Sequence, residues 1–150
     1  SLARKVIFED LGMGVDEPVP ESGMTVAEAL LAVHRSYLPE IEEILGVMEI
    51  NGLVHITGGG FLDNIPRVLP EGRSVEIDPT AWDIPAIFRF LQDKGQVSRD
   101  EMFRVFNMGI GMVFIINEED EERLSGLEHL RWSPVRLGSV ISGDRNVLLD

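Results

Sequence analysis

At 150 residues, with 44% hydrophobic and 26% charged side chains, the chain can bury one core without a metal or disulfide staple and is too apolar to be a disordered tail. It has no cysteine, which excludes a disulfide framework, a thiolate zinc site and a thiol nucleophile. Thirteen Lys and Arg against 26 Asp and Glu give a net charge of −13, a field that repels nucleic acid, while apolar runs such as Met112 to Ile116 are too short to span a bilayer. A soluble, cytoplasmic protein with no nucleic-acid or membrane partner is expected. A small phosphorylated ligand stays allowed, because backbone N–H groups at a helix start can hold an anion locally.

The chain opens at Ser1 without an initiator methionine, and Leu2, Val6 and Ile7 at near-helical spacing predict a helix whose upstream context lies elsewhere. After a loop rich in Pro and acid (Asp16 to Ser22), Thr25-Val26-Ala27-Glu28 forms a capping-box pattern ahead of Ala29, Leu30 and Val33, predicting a helix of about three turns. Pro39 introduces a second helix carrying Ile41, Ile44 and Leu45, with Gly46 as its stop. Leu53 to Thr57 reads as a buried strand, Phe61 to Leu69 as a short helix, Pro70-Glu71-Gly72 as a turn and Ser74 to Ile77 as an alternating strand.

Trp82, Pro85, Ile87, Phe88 and Leu91 outline an amphipathic helix ending at Lys94-Gly95, and Ser98-Arg99-Asp100-Glu101 offers a capping box for Met102 to Phe106. Met108 to Ile116 reads as a strand, Asn117 as the cap of an acid-led helix through Leu130, and Val135 to Ile141 and Asn146 to Leu149 as two late strands. With no repeat and no long linker, residues 1–150 make a single domain. Its mixed order of elements predicts a sheet covered by helices on both faces.

The strongest chemical signal is the run His55 to Asn64, a strand entering three glycines that open a helix. Gly58, Gly59 and Gly60 permit unusual backbone angles and close approach, and unpaired N–H groups at the helix start suit a phosphate. A tight strand-to-helix turn with no ligand fits the same spacing. His55, at the strand end, reads as a structural histidine or as a hydrogen-bond donor and proton carrier beside an anion; Thr57 reads as an anion contact or a turn cap. A second signal is Phe106 to Met112, where alternate Gly109 and Gly111 suit close packing or a ligand, with Asn107 bonding a polar ligand or the local backbone. Arg67 and Arg104 are nearby cations whose default is solvation; His34 and His129 read as surface residues of helices. No Ser-His-Asp or metal-ligand constellation emerges.

The segment HITGGGFLDNIPRVL, His55 to Leu69, closely resembles the signature of the phosphoribosylformylglycinamidine cyclo-ligase family. EMFRVFNMGIGM, Glu101 to Met112, resembles that family's second C-terminal signature. The opening SLARKVIFED resembles the stretch that follows the family's segment between its two halves, so the similarity covers essentially the whole chain. Asp63 stands where the family usually carries glutamate, and His55 stands where related superfamily enzymes tend to carry aspartate.

The resemblance implies an α+β domain, a three-layer α/β/α sandwich with a mixed β-sheet, forming the C-terminal half of a two-domain enzyme that dimerises through its N-terminal half. It implies ATP- and magnesium-dependent cyclisation of formylglycinamidine ribonucleotide, with the magnesium carboxylates in that other half. On this reading the N–H groups of Gly58, Gly59 and Gly60 hold phosphate oxygens, Thr57 assists, His55 donates or carries a proton, and Asn64 and Asn107 orient the ligand. The competing readings are another ATPase of the same superfamily and a non-catalytic anion-binding or assembly module.

Overall fold

A computed structural model describes residues 1–150 as a mixed α/β fold. The opening helix α1 (Leu2–Arg4) passes directly into a π-helical segment, Lys5–Asp10, which buries Val6 and Ile7. Two short strands, β1 (Pro18–Val19) and β2 (Met24–Thr25), pair antiparallel and lead into α2 (Val26–Leu30). The expected capping box is present: the Glu28 N–H donates to Thr25 Oγ1 at 3.2 Å, and the Thr25 N–H donates to Glu28 Oε2 at 2.8 Å. That backbone bond, reinforced by the Thr25 hydroxyl, holds the Glu28 carboxyl below its ordinary value.

The helix stops after five residues rather than running three turns, because residues beyond Leu31 leave helical geometry and place His34 and Tyr37 against other parts of the fold. The next helix, α3 (Leu38–Val47), runs through Gly46, which therefore is not its stop; the helix ends where Met48 turns extended. Strand β3 (Gly52–His55) has one neighbour and alternates in exposure, with Val54 buried and Leu53 and His55 exposed, so it is not buried on both faces.

Gly60–Asn64 forms α4, and Ile65–Arg67 continues it as a 3-10 turn. Pro66 has no N–H to sustain the α-helical ladder, which shortens the helix expected to reach Leu69. Strand β4 (Arg73–Ile77) follows, then α5 (Ala86–Gly95) and α6 (Arg99–Val105), the latter capped where Ser98 Oγ accepts from the Glu101 N–H at 3.4 Å. Strand β5 occupies only Met112–Ile115, because Asn107 to Ile110 closes a turn with Met108 and Gly109 at positive φ. The acidic segment is a 3-10 turn, Glu118–Asp120, and a short α7 (Glu121–Ser125) that ends at Gly126, well before Leu130. Strands β6 (Gly138–Ser142) and β7 (Val147–Leu149) complete the chain.

Instead of one sheet, the strands divide into the β1–β2 pair, a β3–β5 antiparallel ribbon and a three-stranded sheet ordered β6-β4-β7. In the last, β4 pairs antiparallel with β6 and parallel with β7, so the expected mixed character is present. One core joins the elements. Phe61 of α4, Phe103 of α6 and Trp82 pack ring on ring at centroid distances of 5.4 to 6.2 Å, and Val54, Val75 and Ile77 contribute from two sheets. No helix is long and apolar enough to cross a membrane.

Candidate functional site

The β3–β5 ribbon brings the two glycine-bearing segments together. His55 pairs with Met112, and the Ile56 N–H donates to the Gly111 carbonyl at 2.8 Å, so the chain leaves β3 beside the start of β5. It then turns at Thr57 to Gly60. The Gly60 N–H closes this turn on the Thr57 carbonyl at 3.0 Å, and Gly59, at φ +97°, caps α4 in a conformation that disfavours any side chain.

The three glycines have different jobs. Gly60 is buried at φ +55°, and a Cβ there would overlap the Phe103 carbonyl oxygen, with the carbonyl carbon only 2.8 Å away. It is the point where α4 meets the backbone of α6. Gly58 has open space where its Cβ would stand and is exposed. The N–H groups of Thr57, Gly58 and Gly59 donate to no acceptor in the chain, and neither does the Thr57 hydroxyl. Three successive unpaired donors on an exposed turn match the requirements of an oxyanion, whereas the Gly60 N–H is already engaged.

Asn64 lies beneath this turn, only 4% exposed, and its Nδ2 donates to the carbonyls of Gly60 at 2.8 Å, Gly58 at 3.2 Å and Thr57 at 3.3 Å. Those bonds hold the loop's carbonyls on the Asn64 side, and Thr57 and Gly58 are exposed. The structure thus gives Asn64 a positioning role under the loop. Asn107 is likewise tied to its own turn, its Oδ1 accepting from the Gly109 N–H at 3.1 Å. Arg104 reaches across from α6 to Asp63 at 3.0 Å, setting a charged pair on the first turn of α4, whereas Arg67 is exposed at the end of the 3-10 turn.

One wall of the site was missed by sequence reasoning. His34 is not on a helix: it lies in the irregular segment between α2 and α3, and its Nε2 stands 3.0 Å from His55 Nε2. Tyr37, from the same segment, covers Gly111 so closely that a Cβ there would overlap its hydroxyl oxygen, with Cζ at 2.7 Å. Next to Tyr37, the Trp132 ring carries the guanidinium groups of Arg35 and Arg131 over it, at 4.7 and 4.5 Å from the ring centroid. Arg131 in turn binds Glu40 of α3 through both carboxylate oxygens, at 2.6 and 2.7 Å. The readable signal was the dense run His34-Arg35-Ser36-Tyr37, which interrupts the apolar spacing expected of a helix. His129 lies in an exposed turn after α7, away from these contacts.

Residues 6–150 match the family model described as AIR synthase related protein, C-terminal domain. The chain is 50% identical over 131 residues to a phosphoribosylformylglycinamidine cyclo-ligase of Citrifermentans bemidjiense, covering 85% of this chain and 38% of that protein. It is 43% identical over 150 residues to the protein of the same name from Trichlorobacter lovleyi, covering 97% and 42% of the two chains. With that from Alkaliphilus metalliredigens it shares 42% identity over 150 residues, covering 99% and 43%. The chain therefore spans about two fifths of the length of these curated relatives. On the strength of a match that runs through both glycine-bearing segments and nearly the whole fold, the chain belongs to the AIR synthase related protein family, as its C-terminal domain.

Proposed function

We propose that this domain supplies the phosphate-holding loop of an ATP-dependent cyclo-ligase that converts formylglycinamidine ribonucleotide to aminoimidazole ribonucleotide in purine biosynthesis. The observation that carries the reading is the Thr57–Gly59 turn, with three consecutive N–H groups left unpaired while Asn64 holds the turn's carbonyls. The relatives are named phosphoribosylformylglycinamidine cyclo-ligase, and the reaction proposed here is the one the family resemblance implies. In it the substrate's amide oxygen takes the terminal phosphoryl group of ATP, an amine nitrogen attacks the activated carbon, and inorganic phosphate leaves as the imidazole ring closes.

Within this scheme the Thr57, Gly58 and Gly59 N–H groups, with the Thr57 hydroxyl, hold phosphate oxygens, and Gly60 shapes the turn through its contact with α6. Charge on those oxygens is stabilised by donors already in place, which costs little reorganisation. His55, two residues before the turn and exposed, donates a hydrogen bond or carries a proton between the reacting groups. Asn64 and Asn107 fix the two turns that flank the site. The magnesium that accompanies ATP is assigned, as the family resemblance implies, to carboxylates of an N-terminal half.

The same proposal includes a cytoplasmic homodimer formed through that half, and a three-layer α/β/α arrangement in which the β3–β5 ribbon and the β6-β4-β7 sheet form one layer. Replacing His55 by Ala in the two-domain enzyme tests the site assignment. A large fall in kcat with the fold intact is expected; unchanged turnover would remove His55 from the mechanism.

A further inference from the structure

The histidine pair at the edge of the loop stands at hydrogen-bond distance, a spacing that is also close to that of two imidazoles on one metal ion. His34 and His55 come from segments 21 residues apart, yet their Nε2 atoms face each other at 3.0 Å, with ring centroids 5.1 Å apart and planes inclined by 49°. Two imidazoles bound to one zinc ion, each at about 2.0–2.1 Å in a tetrahedral arrangement, have their nitrogens roughly 3.3 Å apart. The pair is within about 0.3 Å of that spacing.

From this spacing we infer that His34 and His55 form a two-histidine chelate for a borderline divalent transition ion, of the class Zn(II), Ni(II) or Cu(II). Such ions prefer imidazole nitrogen, whereas magnesium prefers oxygen. Both rings are exposed, so a hydrated ion can reach them and keep water in its other positions. No third His, Asp or Glu joins the pair, and water completes the coordination.

Position favours capture as well. His55 is fixed by strand pairing with Met112, and His34 is held by the segment whose Tyr37 covers Gly111 and packs edge-on to the His34 ring at a centroid distance of 6.0 Å. With both ligands held by tertiary structure, the second metal–nitrogen bond forms intramolecularly, which strengthens binding well beyond that of a lone histidine. The net charge of −13 raises the local concentration of cations. An ion bound here engages the Nε2 of His55 and tethers the 31–37 segment to the end of β3. The inference rests on the geometry of the two rings and does not depend on the proposed reaction.

The test is titration of the 150-residue chain, without an affinity tag, with Zn2+ alone in a non-chelating buffer at neutral pH, followed by calorimetry and by NMR of the imidazole resonances. One equivalent is expected to shift the His34 and His55 ring signals together and leave those of His129 in place. His34→Gln is expected to weaken binding roughly tenfold or more, His129→Gln to leave it unchanged, and Mg2+ to produce no imidazole shift. Three results would each overturn the inference: no saturable Zn2+ binding, equal shifts at all three histidines, or an affinity unaffected by His34→Gln. The ring shifts of the unsubstituted chain decide the matter even if a variant folds poorly.

Discussion

Replacing Gly60 by Ala should damage the fold far more than replacing Gly58 by Ala, although the two glycines stand two residues apart in one turn. At Gly60 the backbone has φ +55° and the new Cβ would overlap the Phe103 carbonyl oxygen, with its carbon 2.8 Å away. Holding an L-residue in the left-handed region costs about 1–2 kcal/mol, and forcing α4 away from α6 adds roughly 1–3 kcal/mol of overpacking. The sum, about 2–5 kcal/mol, is a large share of the ~5–15 kcal/mol that holds a domain together. With a urea m-value near 2 kcal/mol per molar, the unfolding midpoint should fall by roughly 1–2.5 M. Gly58 has no such positive φ and no atom within 4 Å of its Cβ position, so Ala there should be neutral or stabilising by up to ~1 kcal/mol. Urea unfolding of the two variants side by side, monitored by tryptophan fluorescence because Trp82 packs on Phe61 and Phe103, reads the difference directly. Midpoints for the two variants within about 0.3 M of each other would refute the division of labour among the glycines.

Other consequences follow from the same contacts. Asn64→Ala should destabilise the domain by about 1–3 kcal/mol in chemical denaturation, since three loop carbonyls lose their buried donor; Asn64→Asp should do no better, because it offers those carbonyls an acceptor. Gly111→Ala should push Tyr37 off β5 and separate His34 from His55, seen as a change in the His55 ring resonances without loss of the fold. The Arg131 guanidinium, bonded to both Glu40 oxygens, holds that carboxyl below the ordinary glutamate value of 4.5. A depressed folded-state value stabilises the fold above the unfolded pKa and ceases to do so as pH falls through the folded one. Arg131→Gln should therefore be less stable than the unsubstituted chain at pH 7, and the gap measured by urea unfolding should close on acidification below about pH 4.5.

Local signals were the most legible part of the sequence. The capping box at Thr25 and Glu28 and the strand-turn-helix around Gly58 each depend on a few neighbouring residues and appear where the spacing places them, while of the box expected at Ser98 and Glu101 only the Ser98 cap forms. Long-range decisions were not legible. Nothing in the spacing of Leu30 and Val33 announces that His34 and Tyr37 will be drawn across to His55 and Gly111, which ends α2 early. Gly46 and Gly60 show the same limit from opposite sides. One looks like a helix stop but lies inside α3 with open space around it; the other looks like part of a ligand cradle but is held against the α6 backbone. Asn64 carries a similar lesson, since only the fold shows that its amide faces the loop's carbonyls from below.

Substrate-stimulated release of ADP by the proposed two-domain enzyme tests the central claim most directly. Addition of formylglycinamidine ribonucleotide to enzyme, ATP and magnesium should release one ADP for each aminoimidazole ribonucleotide formed. Gly58→Asp, which sets a negative charge beside the unpaired Thr57–Gly59 N–H groups, should depress that release sharply while leaving the fold intact. ADP release indifferent to formylglycinamidine ribonucleotide, or untouched by Gly58→Asp, would contradict the account.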